Sequence, residues 1–367
     1  MVNKIAGSRA EQAKLNIQFS RISLALKFIL LWGMTLLFPS FSLAQINPSN
    51  NAAANTAARA GSQTTVSSLT NIMVTNPFAN TGLFRYRFGS NGGGDQSNSK
   101  GIASQTPDGK NSEKMFGGLS AGDFGNWNVW ATPVVSSYKY NIEPYTSTGT
   151  VVIGMAGLEY NYEDTLTSGV SISVNDTNSV TTYNNGTYKT VGLTVSPYAV
   201  YQINDYLALN SSFGIGGSNP SINVGGVNGT TSYNSFFGVI GLSNRTDFGN
   251  FMLQPRISYT YYIDKLGAYT NGAGTYNSAY NTYLGQTQAG AQLSYDTKVG
   301  AQPFIAAYGF INTWNSNQLA TTPSSVYPST YRVIAGVNGS NGVFYGTVSY
   351  QIERSVSQFR IYGGILF

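Results

Sequence analysis

The stretch Phe359-Arg360-Ile361-Tyr362-Gly363-Gly364-Ile365-Leu366-Phe367 alternates without a break. Residues two apart in an extended chain share a face. Phe359, Ile361, Gly363, Ile365 and Phe367 therefore lie on one side, and Gln358, Arg360, Tyr362, Gly364 and Leu366 on the other. One side is mostly apolar and the other mostly small or polar. The same pattern recurs upstream. Ala156, Leu158, Tyr160 and Tyr162 oppose Gly157, Glu159 and Asn161, and Val170, Ile172 and Val174 oppose Ser171, Ser173 and Asn175. Val191, Leu193, Val195, Pro197, Ala199 and Tyr201 oppose Thr190, Gly192, Thr194, Ser196 and Gln202. Leu253, Pro255, Ile257, Tyr259 and Tyr261 oppose Gln254, Arg256, Ser258 and Thr260, and Ala289, Ala291, Leu293 and Tyr295 oppose Gln288, Gly290, Gln292 and Ser294.

Extended outward, this period predicts twelve strands, at roughly 126–140, 150–162, 166–176, 187–203, 206–216, 231–246, 250–263, 280–296, 301–314, 331–338, 342–353 and 356–367. Short turns are expected at Glu163-Asp164, Asn204-Asp205, Asp247-Phe248-Gly249, Lys298-Val299-Gly300 and Gly339-Ser340-Asn341. Longer connections are expected near residues 141–149, 177–186, 217–230, 264–279 and 315–330. Short and long alternate, as in a transmembrane barrel with short turns on one side and long loops on the other. An even strand count returns Phe367 to the side where the first strand starts, beside Trp127. The expected fold is all-β: a closed antiparallel twelve-stranded transmembrane β-barrel.

A soluble sandwich also alternates, but its outer face would be rich in Lys, Glu and Arg. Here only 10% of residues are charged, and the polar faces are Ser, Thr, Gln, Asn and Gly. The apolar faces often end in Tyr, which suits the aromatic girdles of a membrane barrel. Closure pairs every backbone group that lipid could not satisfy. Glu159, Arg256 and Arg360 fall on the polar, lumen-facing side. They either line a pore or form internal ion pairs that brace it. On the lipid side, a basic residue near the mid-membrane would cost about 2–4 kcal/mol. Twelve strands leave a lumen between those of filled eight-stranded barrels and those of wide porins. It should be open unless plugged, and an α-helix, ~10–12 Å across, is a plausible plug.

The chain has no Cys and no His. That removes disulfides, thiolate metal sites, the Ser-His-Asp triad and the commonest general base. There is no P-loop, HExxH or zinc pattern. No enzyme activity and no cofactor are expected. The formal charge of +5 is uneven. Lys4, Arg9, Lys14, Arg21 and Lys27 against Glu11 put +4 into residues 1–44, leaving +1 for the remainder. No Lys/Arg stripe remains to bind nucleic acid.

Residues 1–27 form a basic n-region, Phe28 to Leu37 an apolar core, and Ser42-Leu43-Ala44 a small-x-small site. A Sec signal peptide spanning residues 1–44 is expected, rather than an N-terminal anchor, because the core is short and Pro39 follows it. Residues 45–77 are rich in Ala, Asn and Ser, and Leu69, Ile72 and Met73 have helical spacing. This segment is the candidate pore helix. Residues 78–125 read as a flexible Gly/Asn/Ser-rich linker, and residues 126–367 as the barrel.

Several segments resemble the β-domain of autotransporters, the type V secretion family. They are Gly117-Gly118-Leu119-Ser120-Ala121-Gly122-Asp123 leading to Trp127-Asn128-Val129-Trp130, Gly157-Leu158-Glu159-Tyr160, and Thr167-Ser168-Gly169-Val170-Ser171. Leu253-Gln254-Pro255-Arg256-Ile257-Ser258-Tyr259, Gln302-Pro303-Phe304-Ile305-Ala306 and the ending at Phe367 complete the set. The resemblance implies a barrel in the bacterial outer membrane, contacting lipid, with a helix through its pore. It also implies assembly by periplasmic chaperones and the barrel-insertion machinery. Phe359, Ile361, Ile365 and Phe367 would then carry the assembly signal. The repeats of a long passenger domain are missing between Gln45 and Phe116. The expected function is therefore an anchored surface protein or translocator-like barrel without a sizeable passenger. The alternative is a porin-like channel for small polar solutes.

Overall fold

The computed structural model describes residues 60–61, 63–70, 127–141, 146–162, 165–182, 184–297, 301–316, 329–340, 344–353 and 356–365. Twelve long strands form the barrel: β1 Trp127–Tyr140, β2 Ser147–Tyr162, β3 Leu166–Thr181, β4 Thr187–Asn204, β5 Leu207–Ser218 and β6 Tyr233–Asn244. The ring continues with β7 Phe251–Leu266, β8 Tyr280–Tyr295, β9 Ala301–Ser316, β10 Ser329–Ser340, β11 Phe344–Glu353 and β12 Val356–Ile365. Each pairs antiparallel with the next in sequence, and β1 pairs antiparallel with β12 to close the ring. The closing register runs from Val134↔Tyr362 to Tyr140↔Val356. Phe367 lies outside the described residues, as does the turn at 163–164.

Burial is inverted relative to a soluble protein. On β3, Val170, Ile172 and Val174 are 45%, 50% and 50% exposed, while Ser171 and Ser173 between them are 3% and 2% exposed. The same inversion holds on β2 and β4, where Leu158, Val191 and Leu193 face out and Glu159, Thr190 and Thr194 face in. Such a contiguous apolar surface is foreign to water-soluble monomers. At the end of the barrel carrying the short turns, an outward aromatic row forms from Trp127, Tyr162, Tyr201, Tyr206, Phe251 and Tyr295. Phe251 and Tyr295 touch across the β7–β8 pair at 4.9 Å. Among the described residues of these twelve strands, outward charges are confined to the loop-end half: Lys139, Asp176, Lys189 and Lys265.

The strands are longer than their alternation suggests. The first half of the expected loop at 177–186 is strand, because β3 runs to Thr181 and pairs with β4 through Val180↔Thr187. The expected loop at 217–230 contains a hairpin, Ser221–Val224 with Val227–Thr230. Its two-residue turn places Gly225 and Gly226 at φ 59° and 82°, the left-handed pair that a tight hairpin needs. The expected loop at 264–279 begins as strand up to Leu266 and holds a short pair, Tyr269–Thr270 with Tyr276–Asn277. Above the apolar belt both faces of a strand can be polar. The alternation then vanishes while the backbone ladder continues.

Candidate lumen site

The inward faces supply the site. Six large inward aromatic side chains each sit directly opposite a glycine on the neighbouring strand. The pairs are Trp130↔Gly157, Tyr138↔Gly149, Tyr198↔Gly169, Phe237↔Gly214, Tyr308↔Gly290 and Phe304↔Gly336. At each of these glycines, an added Cβ would come within 3 Å of the facing ring. The missing side chain is what lets the aromatic lie flat along the wall instead of filling the lumen.

Residues 60–61 and 63–70 are helical and are called α1. The helix lies inside the barrel. Ala60 and Leu69 join a buried cluster with Trp130, Val134, Tyr138, Val151, Ile153 and Met155. Val66 joins a second cluster with Phe237, Val239, Tyr262 and Leu284. Gly61 approaches Asn175 and Thr177 so closely that a Cβ there would lie 2.9 Å from the Asn175 Oδ1. Within α1, Thr64 and Thr70 return their hydroxyls to the carbonyls of Ala60 and Val66, at 2.7 and 2.8 Å. Both hydroxyl donors are thus satisfied locally.

Glu159 is 6% exposed and faces inward from β2. The Tyr198 hydroxyl donates to Glu159 Oε2 at 2.9 Å, and Trp130 Nε1 donates to the Tyr198 oxygen at 2.8 Å. The three groups bridge β1, β2 and β4 across the wall. Tyr198→Phe deletes two of these bonds inside a buried network. It is expected to cost about 1–3 kcal/mol, read from the urea midpoint of the folded barrel in lipid vesicles. An unshifted midpoint would show that the network contributes nothing.

Arg256 stacks over the Tyr308 ring with its guanidinium carbon 4.1 Å from the centroid. Arg360 donates to Ser67 Oγ of α1 at 3.2 Å and to Gln358 Oε1 at 3.3 Å. Among the predicted assembly residues, Phe359 and Ile361 face outward at 42% and 45% exposure. Ile365 is the last described residue of β12, and Phe367 lies outside the described residues.

Two inward charges were not singled out from the sequence. Arg332 on β10 stacks over Phe310 at 4.4 Å. Its signal is the alternation of exposed Tyr331, Val333 and Val337 around it. Asp264 on β7 accepts from the Tyr233 hydroxyl at 2.6 Å and is 1% exposed. It sits next to outward Lys265, so the sequence alone reads as an ordinary charged loop edge.

No protein-family model matches the chain, and no curated protein matches it significantly by sequence. Solved structures do match by shape. The translocator domain of the autotransporter NalP from Neisseria meningitidis superposes with a TM-score of 0.53 at 15% identity, covering 67% of this chain and 90% of that one. The beta domain of the Bordetella autotransporter BrkA gives 0.53 at 13% identity, covering 66% and 100%. The transport unit of the autotransporter AIDA-I from Escherichia coli gives 0.50 at 16% identity, covering 65% and 90%. The fold is thus that of autotransporter β-domains: a closed twelve-stranded antiparallel barrel.

Proposed function

We propose that this chain is an outer-membrane anchor of the autotransporter type, whose barrel spans lipid and whose lumen is closed by its own N-terminal helix. The observation that carries this reading is α1 inside the ring, with Leu69 at 0% exposure and Arg360 bonded to Ser67. The apolar outer wall, the aromatic row at the turn end and the outward charges near the loop end support a lipid surroundings. Export by a signal peptide, and display of the N-terminal segment at the cell surface, belong to the same proposal. The seat of α1 among inward residues of the barrel wall favours an anchor over a porin-like channel.

The test is conductance in planar bilayers. Residues 45–367 should conduct weakly, and residues 78–367, lacking the helix, should show large steady steps. Large conductance from the longer chain would favour the channel. On intact cells, protease cleavage in residues 78–115 would place the linker outside, whereas full protection would argue against display.

A further inference from the structure

The helix does not fill the lumen evenly. Its apolar residues Leu69 and Val66 meet apolar side chains from strands between β1 and β8. Between the helix and strands β7–β12 and β1, a cavity of about 120 Å³ remains. Arg256 from β7, Arg332 from β10 and Arg360 from β12 all line it, with carboxamides such as Gln288 and Gln351 between them. From the helix come Ala60, Gln63, Thr64, Val66, Ser67 and Thr70. The three hydroxyls donate to carbonyls within α1, so Gln63 is the helix side chain whose amide can serve a ligand. No carboxylate belongs to the described lining. Glu353 stands opposite Arg332 in the ladder.

We propose that this cavity binds a small oxyanion, a solute carrying phosphate or several carboxylates. The proposal rests on α1 occupying the lumen. Three features carry it. Arg256 and Arg332 are stacked on aromatic rings, which holds each guanidinium flat and preorganises its donors for planar oxygen pairs. Like charges gathered where water is scarce repel one another, and an anion relieves that repulsion. The Gln288 Nε2 donor is buried and makes no hydrogen bond, so a bound oxygen would satisfy it. Three strands from one half of the barrel and one face of the helix thus converge on a small basic space.

Isothermal titration of residues 45–367, folded in detergent micelles, tests this with inorganic phosphate and, separately, citrate. Saturable one-to-one binding is expected for at least one of them, weaker as salt rises. Whichever binds identifies the source of the oxygens. Arg256→Gln and Arg332→Gln should each weaken it about tenfold or more, the loss of one charge-assisted hydrogen bond. Arg245→Gln is the control, because Arg245 lies outside the cavity and pairs with Asp247 at 3.0 Å. Equal losses in all three variants would overturn the site. So would a plugged, weakly conducting barrel that takes up neither anion, leaving the anchor reading intact. A freely conducting barrel that takes up neither overturns both.

Discussion

Replacing Leu69 with alanine is expected to unseat the helix and open the lumen. Leu69 is fully buried in the cluster that joins α1 to β1 and β2. Removing its isobutyl group costs about 2–5 kcal/mol, the transfer term plus the cavity left behind. That loss falls on helix docking and not on the ring. The ring is held by twelve antiparallel ladders that do not use the helix. At about 1.4 kcal/mol per tenfold, the docked population should fall roughly thirty-fold or more relative to the undocked one. Single-channel recording should then show frequent large openings in a barrel whose heat-modifiable gel mobility is unchanged. A Ser67→Ala variant loses the bond from Arg360 and the bond that Ser67 donates to the Thr64 carbonyl at 3.0 Å. The second lies within α1 and is lost docked and undocked alike, so the same balance should shift far less, by about 1 kcal/mol. A Leu69→Ala barrel as quiet as the parent would mean that the helix is held by something other than this contact.

Replacing Gly214 with valine is expected to cost the barrel about 3 kcal/mol, the upper end of the usual overpacking range. Gly214 faces inward on β5, and the Phe237 ring of β6 lies on it. A side chain there must push the ring into the lumen, toward Val66 of the helix, which shares its cluster. The urea midpoint in lipid vesicles should drop, and the drop should shrink in a Phe237→Ala background. That difference is a coupling of the size expected for touching residues, about 1 kcal/mol or more. Gly154 on β2 gives the contrast. It points outward, and an added Cβ would meet nothing within 4 Å. Gly154→Val should stay within about 0.5 kcal/mol of the parent. Equal costs at the two positions would show that general strand propensity, and not the ring above Gly214, sets the effect.

These two sites also mark the limits of what the chain discloses when unfolded. Gly154 and Gly214 look alike as letters between alternating neighbours. Which of them lies beneath an aromatic ring depends on the register between strands, and register is a relation between distant residues. Arg332 shows the same limit. Its facing is local and follows from Tyr331 and Val333, but its company, Phe310 and Arg256, comes from β9 and β7.

The facing of the strands was written into the chain. A period of two is a property of each segment alone, and the lipid-facing side is recognisable by Val, Ile and Leu opposite Ser, Thr and Asn. The strand number and the side of Glu159, Arg256 and Arg360 follow from that period. The candidate pore helix at 45–77 was legible as Ala-rich sequence, but the strands it packs on were not. Only closure of the ring, through Val134↔Tyr362 and its neighbours, encloses a lumen. Only then do Leu69, Val66 and Ser67 find a wall of strands drawn from both halves of the barrel. Alternation is encoded between neighbours in sequence. Register, enclosure and the basic cavity arise between residues that meet after the ring has closed.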